Sequence, residues 1–162
     1  MAVNELETLA VQLGEALLAK GWLLATAESC TGGWVAQTVT AISGSSNWFD
    51  RGFVSYSNEA KQDMLGVQAA TLAAHGAVSE AVVREMVEGV LMRSRVDLTL
   101  AISGIAGPTG GSAEKPVGTV WLAWGVRGGA RTAQIFHFQG DRAEVRRQSV
   151  VAALQGALQL VK

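Results

Sequence analysis

The sequence predicts a three-layer α/β/α domain built on a mixed, mostly parallel sheet. Two observations support this fold class. Apolar runs of strand length alternate with segments whose apolar residues recur every three or four positions. Polar turns rich in glycine separate several of these runs, and the order strand, turn, helix begins an α/β unit. Because no repeat, linker or low-complexity tract interrupts the pattern, residues 1–162 are predicted to form one domain.

The first helix is predicted to follow an N-cap at Asn4 and to stop at Gly21, with four leucines on one face: Leu6, Leu9, Leu13 and Leu17. Further helices are predicted over 33–42, over 58–66 behind an N-cap at Ser57, and over 79–95. Strand patterns occupy 22–26, 48–56 and 97–103.

The second half of the chain contains a long glycine-rich loop over 104–118. Two strands over 119–126 and 130–138 flank a predicted hairpin turn at 127–129. The last helix is expected to start near Asp141 and to bury four apolar side chains: Val150 or Val151, Leu154, Leu158 and Val161.

Composition excludes several classes of protein. Hydrophobic residues make up 49% of the chain and charged residues 17%, which suits a folded core. Thirteen basic and 14 acidic residues leave a net charge of −1 with no long charged run, so neither nucleic acid nor a membrane surface is an expected partner. One cysteine and two histidines provide no disulfide framework and no zinc spacing, and no metal or cofactor is required. Without a leader or an apolar span, a cytoplasmic location is expected.

Three polar stretches follow predicted strands. They are AESCTGG over 27–33, SYSNEAK over 55–61 and SGIAGPTGG over 103–111. Ligands in open α/β sheets bind beyond the carboxyl ends of the strands, where such turns converge. The sequence therefore predicts a ligand site formed by these turns.

Ser29 lies in the first of these turns, just before a helix. Its hydroxyl is placed to attack a substrate, and the backbone N–H groups of Thr31, Gly32 and Gly33 are candidate donors to a developing oxyanion. Helix capping by Ser29 or Thr31 explains the same residues about equally well, because capping is the commonest use of these side chains before a helix.

A nucleophilic serine requires a base. His75 stands before a glycine at a helix end and His137 alternates with apolar residues in a strand, so neither lies in a polar turn. Of the four lysines only Lys61 follows a strand end together with a tyrosine, Tyr56. A desolvated lysine with a lowered pKa can accept a hydroxyl proton. A solvated helix charge at Lys61 and a half-buried strand aromatic at Tyr56 are the competing interpretations.

The glycine-rich loop and Arg142 are candidates for binding an anion. Glycines let backbone amides approach a phosphate closely, although the loop lacks the order of a Walker P-loop. Arg142 stands near a predicted helix N-terminus, where a phosphate or carboxylate is favoured. An N-cap at Asp141 beside a surface arginine is an equally good interpretation.

Five blocks taken in order carry a resemblance to a known family: AESCTGG, GSSNWFDRGFVSYSNEAK, HGAVSE, SGIAGPTGGSAEKPVGTV and GDR. Together they resemble the C-terminal domain of the competence/damage-inducible CinA family over nearly the whole chain. The resemblance implies hydrolysis of the carboxamide of nicotinamide mononucleotide to nicotinate mononucleotide and ammonia. It also implies a serine–lysine mechanism without a metal, a role in pyridine nucleotide salvage, and a homodimer or larger assembly.

The resemblance also implies roles for individual residues. Ser29 becomes the nucleophile, Lys61 the general base and Tyr56 a hydroxyl that assists proton transfer. Glu28 is expected to orient Lys61 or Ser29, or to form a surface ion pair. The remaining expected substrate-binding residues are Thr31, Gly32, Gly33, Ser46, Ser103, Gly104, Ala106, Gly107, Thr109 and Arg142.

Two other functions compete with this one. A non-catalytic nucleotide-binding or regulatory module would use the glycine loop without reacting. A metal-dependent amidohydrolase would lose its activity on chelation.

Overall fold

The protein is described by a computed structural model that covers residues 4–162. Five strands form one mixed sheet: β1 (Leu24–Glu28), β2 (Phe49–Val54), β3 (Leu98–Gly104), β4 (Thr119–Val126) and β5 (Arg131–His137). Six α-helices accompany them: α1 (Glu5–Lys20), α2 (Trp34–Thr40), α3 (Asn58–Leu65), α4 (Ala69–His75), α5 (Glu80–Arg93) and α6 (Arg142–Val161). None of these helices is long and apolar enough to cross a membrane.

The sheet has the order β2-β1-β3-β4-β5. β1 lies between β2 and β3 and pairs with both in parallel, whereas β4 runs antiparallel to β3 and β5. Four strands therefore share one direction and β4 opposes them, which confirms the predicted mixed sheet. The carboxyl ends of β1, β2 and β3 meet at the same edge, and we call this the active edge.

Helices cover both faces of the sheet. Even-numbered side chains of β1 and β3, such as Leu24 and Leu100, pack in a core with α1, α2 and α6. Odd-numbered alanines of the same strands, such as Ala25 and Ala101, lie on the opposite face and pack in a second core with α5. This alternation follows from the period of two along a strand, and it produces the predicted three layers.

Several predicted boundaries are confirmed at caps. The side chains of Asn4, Ser57, Ser79 and Asp141 accept the backbone N–H three residues later, and so they start α1, α3, α5 and α6. Gly21 ends α1 with φ 67°.

Some boundaries differ from the prediction. β1 begins at Leu24 rather than residue 22, because the N–H of Trp22 still bonds the carbonyl of Leu17 in the helix end. α4 was absent from the prediction, since its residues have no side-chain cap and no buried face.

Candidate active site

The nucleophile candidate, Ser29, lies in a tight turn between β1 and α2. Its own N–H donates to the carbonyl of Ile102 on β3 at 3.1 Å, so the turn continues the sheet at the active edge. Gly32 and Gly33 have φ of 61° and 103°, a region that favours glycine, and they reverse the chain into α2. Ser29 is buried, and its Oγ faces a lysine from α3.

Lys61 is placed by α3, which follows the carboxyl end of β2. Its side chain is only 1% exposed, and it extends beneath the turn to place Nζ 3.0 Å from Ser29 Oγ. Nζ also lies 3.2 Å from the carbonyl oxygen of Ser55 and 3.0 Å from that of Tyr56. No carboxylate within residues 4–162 forms a salt bridge with this amine. The interpretation of Lys61 as a solvated helix charge is therefore wrong.

Burial lowers the pKa of Lys61 below the usual 10.5, because removal from water penalises the charged ammonium. The three oxygens around Nζ suit either protonation state. An ammonium donates to all three, whereas a neutral amine donates to the two carbonyls and turns its lone pair to the Ser29 hydroxyl. The neutral form can therefore accept the serine proton.

Tyr56 contributes to the site through two different groups. Its backbone carbonyl accepts from Lys61 and, at 3.4 Å, from Ser29 Oγ. The residue is 57% exposed and lies beyond the end of β2, which argues against the competing interpretation of a half-buried strand aromatic, and its hydroxyl accepts from Arg142 Nη2 at 3.2 Å. Arg142 Nη1 in turn donates to the carbonyl of Gly107 at 2.9 Å. One guanidinium thus connects the tyrosine to the glycine-rich loop.

Glu28 faces the helix that follows the turn. Its carboxylate is 1% exposed and accepts from Thr31 Oγ1 at 2.6 Å and from the N–H groups of Val35 and Ala36 at 2.9 and 3.0 Å. The buried carboxylate thereby caps α2, where the helix dipole favours a negative charge. The expected surface ion pair is therefore wrong, and both Glu28 and the Thr31 side chain are occupied within the protein.

Donors for an oxyanion remain in the turn. The N–H of Gly32 is already bonded to the carbonyl of Ser29 at 2.9 Å, which corrects its predicted role as a free donor. Within residues 4–162 the N–H groups of Cys30, Thr31 and Gly33 have no acceptor. The thiol of Cys30 is buried, and burial raises its pKa to about 11, so it stays protonated.

The glycine-rich loop contributes backbone rather than side chains. Ser103 and Gly104 end β3 beside the Ser29 turn, and Ser103 is buried. Ala106 is packed in the core beneath α6, so only its backbone could meet a ligand. Thr109 is exposed on the loop.

Ser46 lies at the other end of the sheet. It belongs to a short 3₁₀ turn, Ser45–Asn47, that precedes β2, and the neighbouring carbonyl of Trp48 bonds the N–H of Leu24 at the start of β1. Active-edge residues follow the strands instead. The structure therefore separates Ser46 from Ser29 within the chain by the length of β1, about 13 Å, and corrects its predicted place in this site.

Arg146 was missed by the sequence reasoning. It projects from α6 one turn beyond Arg142, and it donates to the carbonyl oxygens of Cys30 at 3.0 Å and Thr31 at 3.1 Å. The spacing of four from Arg142 was the available signal, since it places both guanidinium groups on one side of α6.

His75 and His137 are exposed and lie outside this site, His75 at the end of α4 and His137 at the end of β5. Within the described residues, no group of three His, Cys, Asp or Glu side chains is arranged to hold a metal ion.

Comparison with known proteins identifies a family model and several named relatives that match nearly the whole chain. Residues 6–161 match the model of the CinA C-terminal domain. A protein of Escherichia coli K12 named nicotinamide-nucleotide amidohydrolase PncC is 57% identical over 155 residues, covering 96% of this chain and 94% of that protein. A Pseudomonas putida protein of the same name is 50% identical, with 98% of each chain covered.

A solved structure supports the same assignment. The crystal structure of the competence/damage inducible protein CihA from Agrobacterium tumefaciens superposes with a TM-score of 0.96 at 44% identity and covers 100% of both chains. The resemblance found in the sequence is thereby confirmed. The chain belongs to the CinA C-terminal domain family.

Proposed function

We propose that the protein is a nicotinamide-nucleotide amidohydrolase that converts nicotinamide mononucleotide and water to nicotinate mononucleotide and ammonia. The observation that carries the proposal is the 3.0 Å contact between the buried Lys61 amine and Ser29 Oγ. Relatives 50–57% identical over nearly the whole chain carry the name of this activity. A buried amine with a lowered pKa beside a serine hydroxyl supplies the base and the nucleophile for attack on an amide.

In the first step, neutral Lys61 accepts the Ser29 proton while Oγ bonds to the carboxamide carbon. The electron pair of the C=O bond moves to oxygen, and free N–H donors of the turn stabilise the oxyanion. The ammonium of Lys61 then returns its proton to the amide nitrogen, and ammonia leaves as the acyl-enzyme forms. Water, deprotonated by the same amine, releases nicotinate mononucleotide and restores Ser29.

We assign Tyr56 to proton transfer and Arg142 to binding the phosphate of the substrate. Arg142 donates to the oxygen of the Tyr56 hydroxyl, which leaves the phenol O–H free to hydrogen-bond the ammonia as it departs with the proton from Lys61. Arg142 also carries the positive charge that a mononucleotide phosphate requires, at the N-terminus of α6. Backbone groups of residues 103–109 complete the proposed ribose and phosphate site, including Gly107, which already accepts from Arg142.

The proposal extends to the cellular setting. The family resemblance supports a cytoplasmic enzyme of pyridine nucleotide salvage that acts as a homodimer or larger assembly and requires no cofactor. Size-exclusion chromatography with light scattering measures the assembly directly, and a mass of one chain would refute that part of the proposal.

The proposal is tested by incubating the pure protein with nicotinamide mononucleotide and measuring both ammonia and binding. We expect ammonia and nicotinate mononucleotide in equal amounts. The second candidate, a non-catalytic nucleotide-binding module, is favoured by the exposed Arg142 that contacts the glycine-rich loop at the active edge, and it predicts binding without ammonia. Addition of a chelator tests the metal-dependent alternative, which predicts loss of turnover. We expect turnover to be unchanged.

A further inference from the structure

Arg146 connects α6 to the turn that carries Ser29. Its Nε donates to the carbonyl of Cys30 at 3.0 Å and its Nη2 to that of Thr31 at 3.1 Å. The guanidinium also lies 5.5 Å from the ring centre of Trp34, which begins α2. No salt bridge within residues 4–162 involves Arg146. Its hydrogen-bonding groups are therefore directed at the backbone of the turn.

The two carbonyls depend on Arg146 to different degrees. The oxygen of Thr31 also accepts the N–H of Trp34 at 3.1 Å. Within the described residues the oxygen of Cys30 has no donor other than Arg146. The peptide plane between Cys30 and Thr31 is therefore the part of the turn that this guanidinium fixes.

A trans peptide points its C=O and its N–H in opposite directions. When Arg146 holds the Cys30 carbonyl on the α6 side of the turn, the N–H of Thr31 is held on the opposite side. That N–H has no acceptor within residues 4–162, whereas the N–H of Gly32 is already bonded to Ser29. It is a free donor in a fixed direction, two residues from the nucleophile.

We infer that Arg146 is a positioning residue that aims the N–H of Thr31 at the oxygen of the substrate carboxamide. The inference rests on the proposed amide hydrolysis and adds to it the group that keeps one oxyanion donor aligned. When Ser29 Oγ bonds to the carbonyl carbon, the C=O electron pair moves to oxygen, and the serine proton goes to Lys61. A donor aligned beforehand stabilises that charge without rearrangement in the transition state.

The test compares Arg146→Met with Arg147→Met. Arg147 is the next residue of α6, and its guanidinium pairs at the surface with Glu144, so the control removes a charge from the same helix without touching the turn. For Arg146→Met we expect kcat for ammonia release to fall about 10–100-fold, below the ~100–1,000-fold loss of a deleted oxyanion donor, with KM within about threefold. Arg146→Lys, which can satisfy the Cys30 carbonyl alone, should recover part of the loss. Arg147→Met should stay within about twofold.

A merely structural tie between α6 and α2 predicts a different result. The melting temperature of Arg146→Met would fall, while kcat of the folded enzyme, measured well below that temperature, would match the wild type. That outcome overturns the inference.

A second readout separates this inference from the proposed function. Acylation of Ser29 by p-nitrophenyl acetate needs the same oxyanion donor but no nucleotide, and its burst of p-nitrophenolate should disappear in Ser29→Ala. If the wild type releases no ammonia but its burst slows about 10–100-fold in Arg146→Met, the proposed function fails and the inference stands. If ammonia is released and neither rate depends on Arg146, only the inference fails. A wild type without either reaction refutes both, since there is then no charge for the turn to stabilise.

Discussion

Replacing Glu28 by glutamine is a demanding test of how the nucleophile's turn is built. The Glu28 carboxylate is buried and accepts three hydrogen bonds from Thr31, Val35 and Ala36. Glutamine keeps the shape but converts one acceptor oxygen to an NH₂ group. In either orientation of the amide, at least one N–H of α2 then faces another donor.

The magnitude follows from these contacts. A hydrogen bond to a charged group contributes about 1.5–3 kcal/mol, and a negative charge at a helix N-terminus contributes about 0.3–2 kcal/mol. Relief of the buried charge offsets part of the loss. We therefore expect Glu28→Gln to lower the free energy of unfolding by about 2–4 kcal/mol, equivalent to about 5–15 °C in melting temperature.

Urea denaturation followed by circular dichroism measures this change, with Glu15→Gln as the matched control. Glu15 is exposed on α1, and its substitution should alter the free energy of unfolding by no more than about 0.5 kcal/mol. Because Glu28 precedes Ser29 and holds the helix after it, kcat of Glu28→Gln should also fall at temperatures where the variant is folded. If Glu28→Gln lowered the free energy of unfolding no more than Glu15→Gln does, the capping role of Glu28 would be refuted.

The other predictions concern the base, the phosphate and the packing of α3. Burial lowers the pKa of Lys61, so kcat/KM should rise with pH through a value below 10.5 in the wild type, and Lys61→Arg should lose activity and this inflection. Between the lowered pKa of Lys61 in the folded chain and 10.5, the unfolded chain binds a proton that the folded chain lacks. The free energy of unfolding measured in urea should therefore rise with pH in the wild type relative to Lys61→Met. The same pH dependence in both proteins would contradict the burial argument. Arg142→Met should raise KM about 10–100-fold with a smaller effect on kcat, and an unchanged KM would remove the phosphate assignment. Gly89→Ala should lower the free energy of unfolding by about 3 kcal/mol, because the methyl group would overlap the carbonyl of Leu65 at the end of α3; thermal melting within 2 °C of wild type, a margin of about 1 kcal/mol, would contradict this packing.

Local chemistry was sufficient to predict much of the fold. Caps depend on residues three positions apart, and the structure confirms the predicted N-caps at Asn4 and Ser57 and the predicted helix starts near Ser79 and Asp141. The convergence of Ser29 and Lys61 was also accessible, because the turns after adjacent parallel strands meet at one edge of the sheet.

Contacts that are distant in sequence were not accessible. Arg146 meets Cys30 across 116 positions, and neither residue carries a local pattern that points to the other. The role of Glu28 was not accessible because the predicted strand ended at residue 26, whereas Glu28 is the last residue of β1 and its carboxylate contacts the start of α2. Ser46 was assigned to the site only through the family resemblance, and the structure places its loop before β2, whereas the turns of the active edge follow their strands.

Ammonia release by Ser29→Ala tests the central claim most directly. Ser29 Oγ is the atom 3.0 Å from Lys61 Nζ, and its removal takes away the bond-forming group while leaving the surrounding donors in place. We predict that turnover of nicotinamide mononucleotide falls at least about a thousandfold, while the dissociation constant measured by calorimetry stays within about threefold of the wild type. Turnover above about a tenth of the wild-type rate would contradict a serine nucleophile and the mechanism built on it.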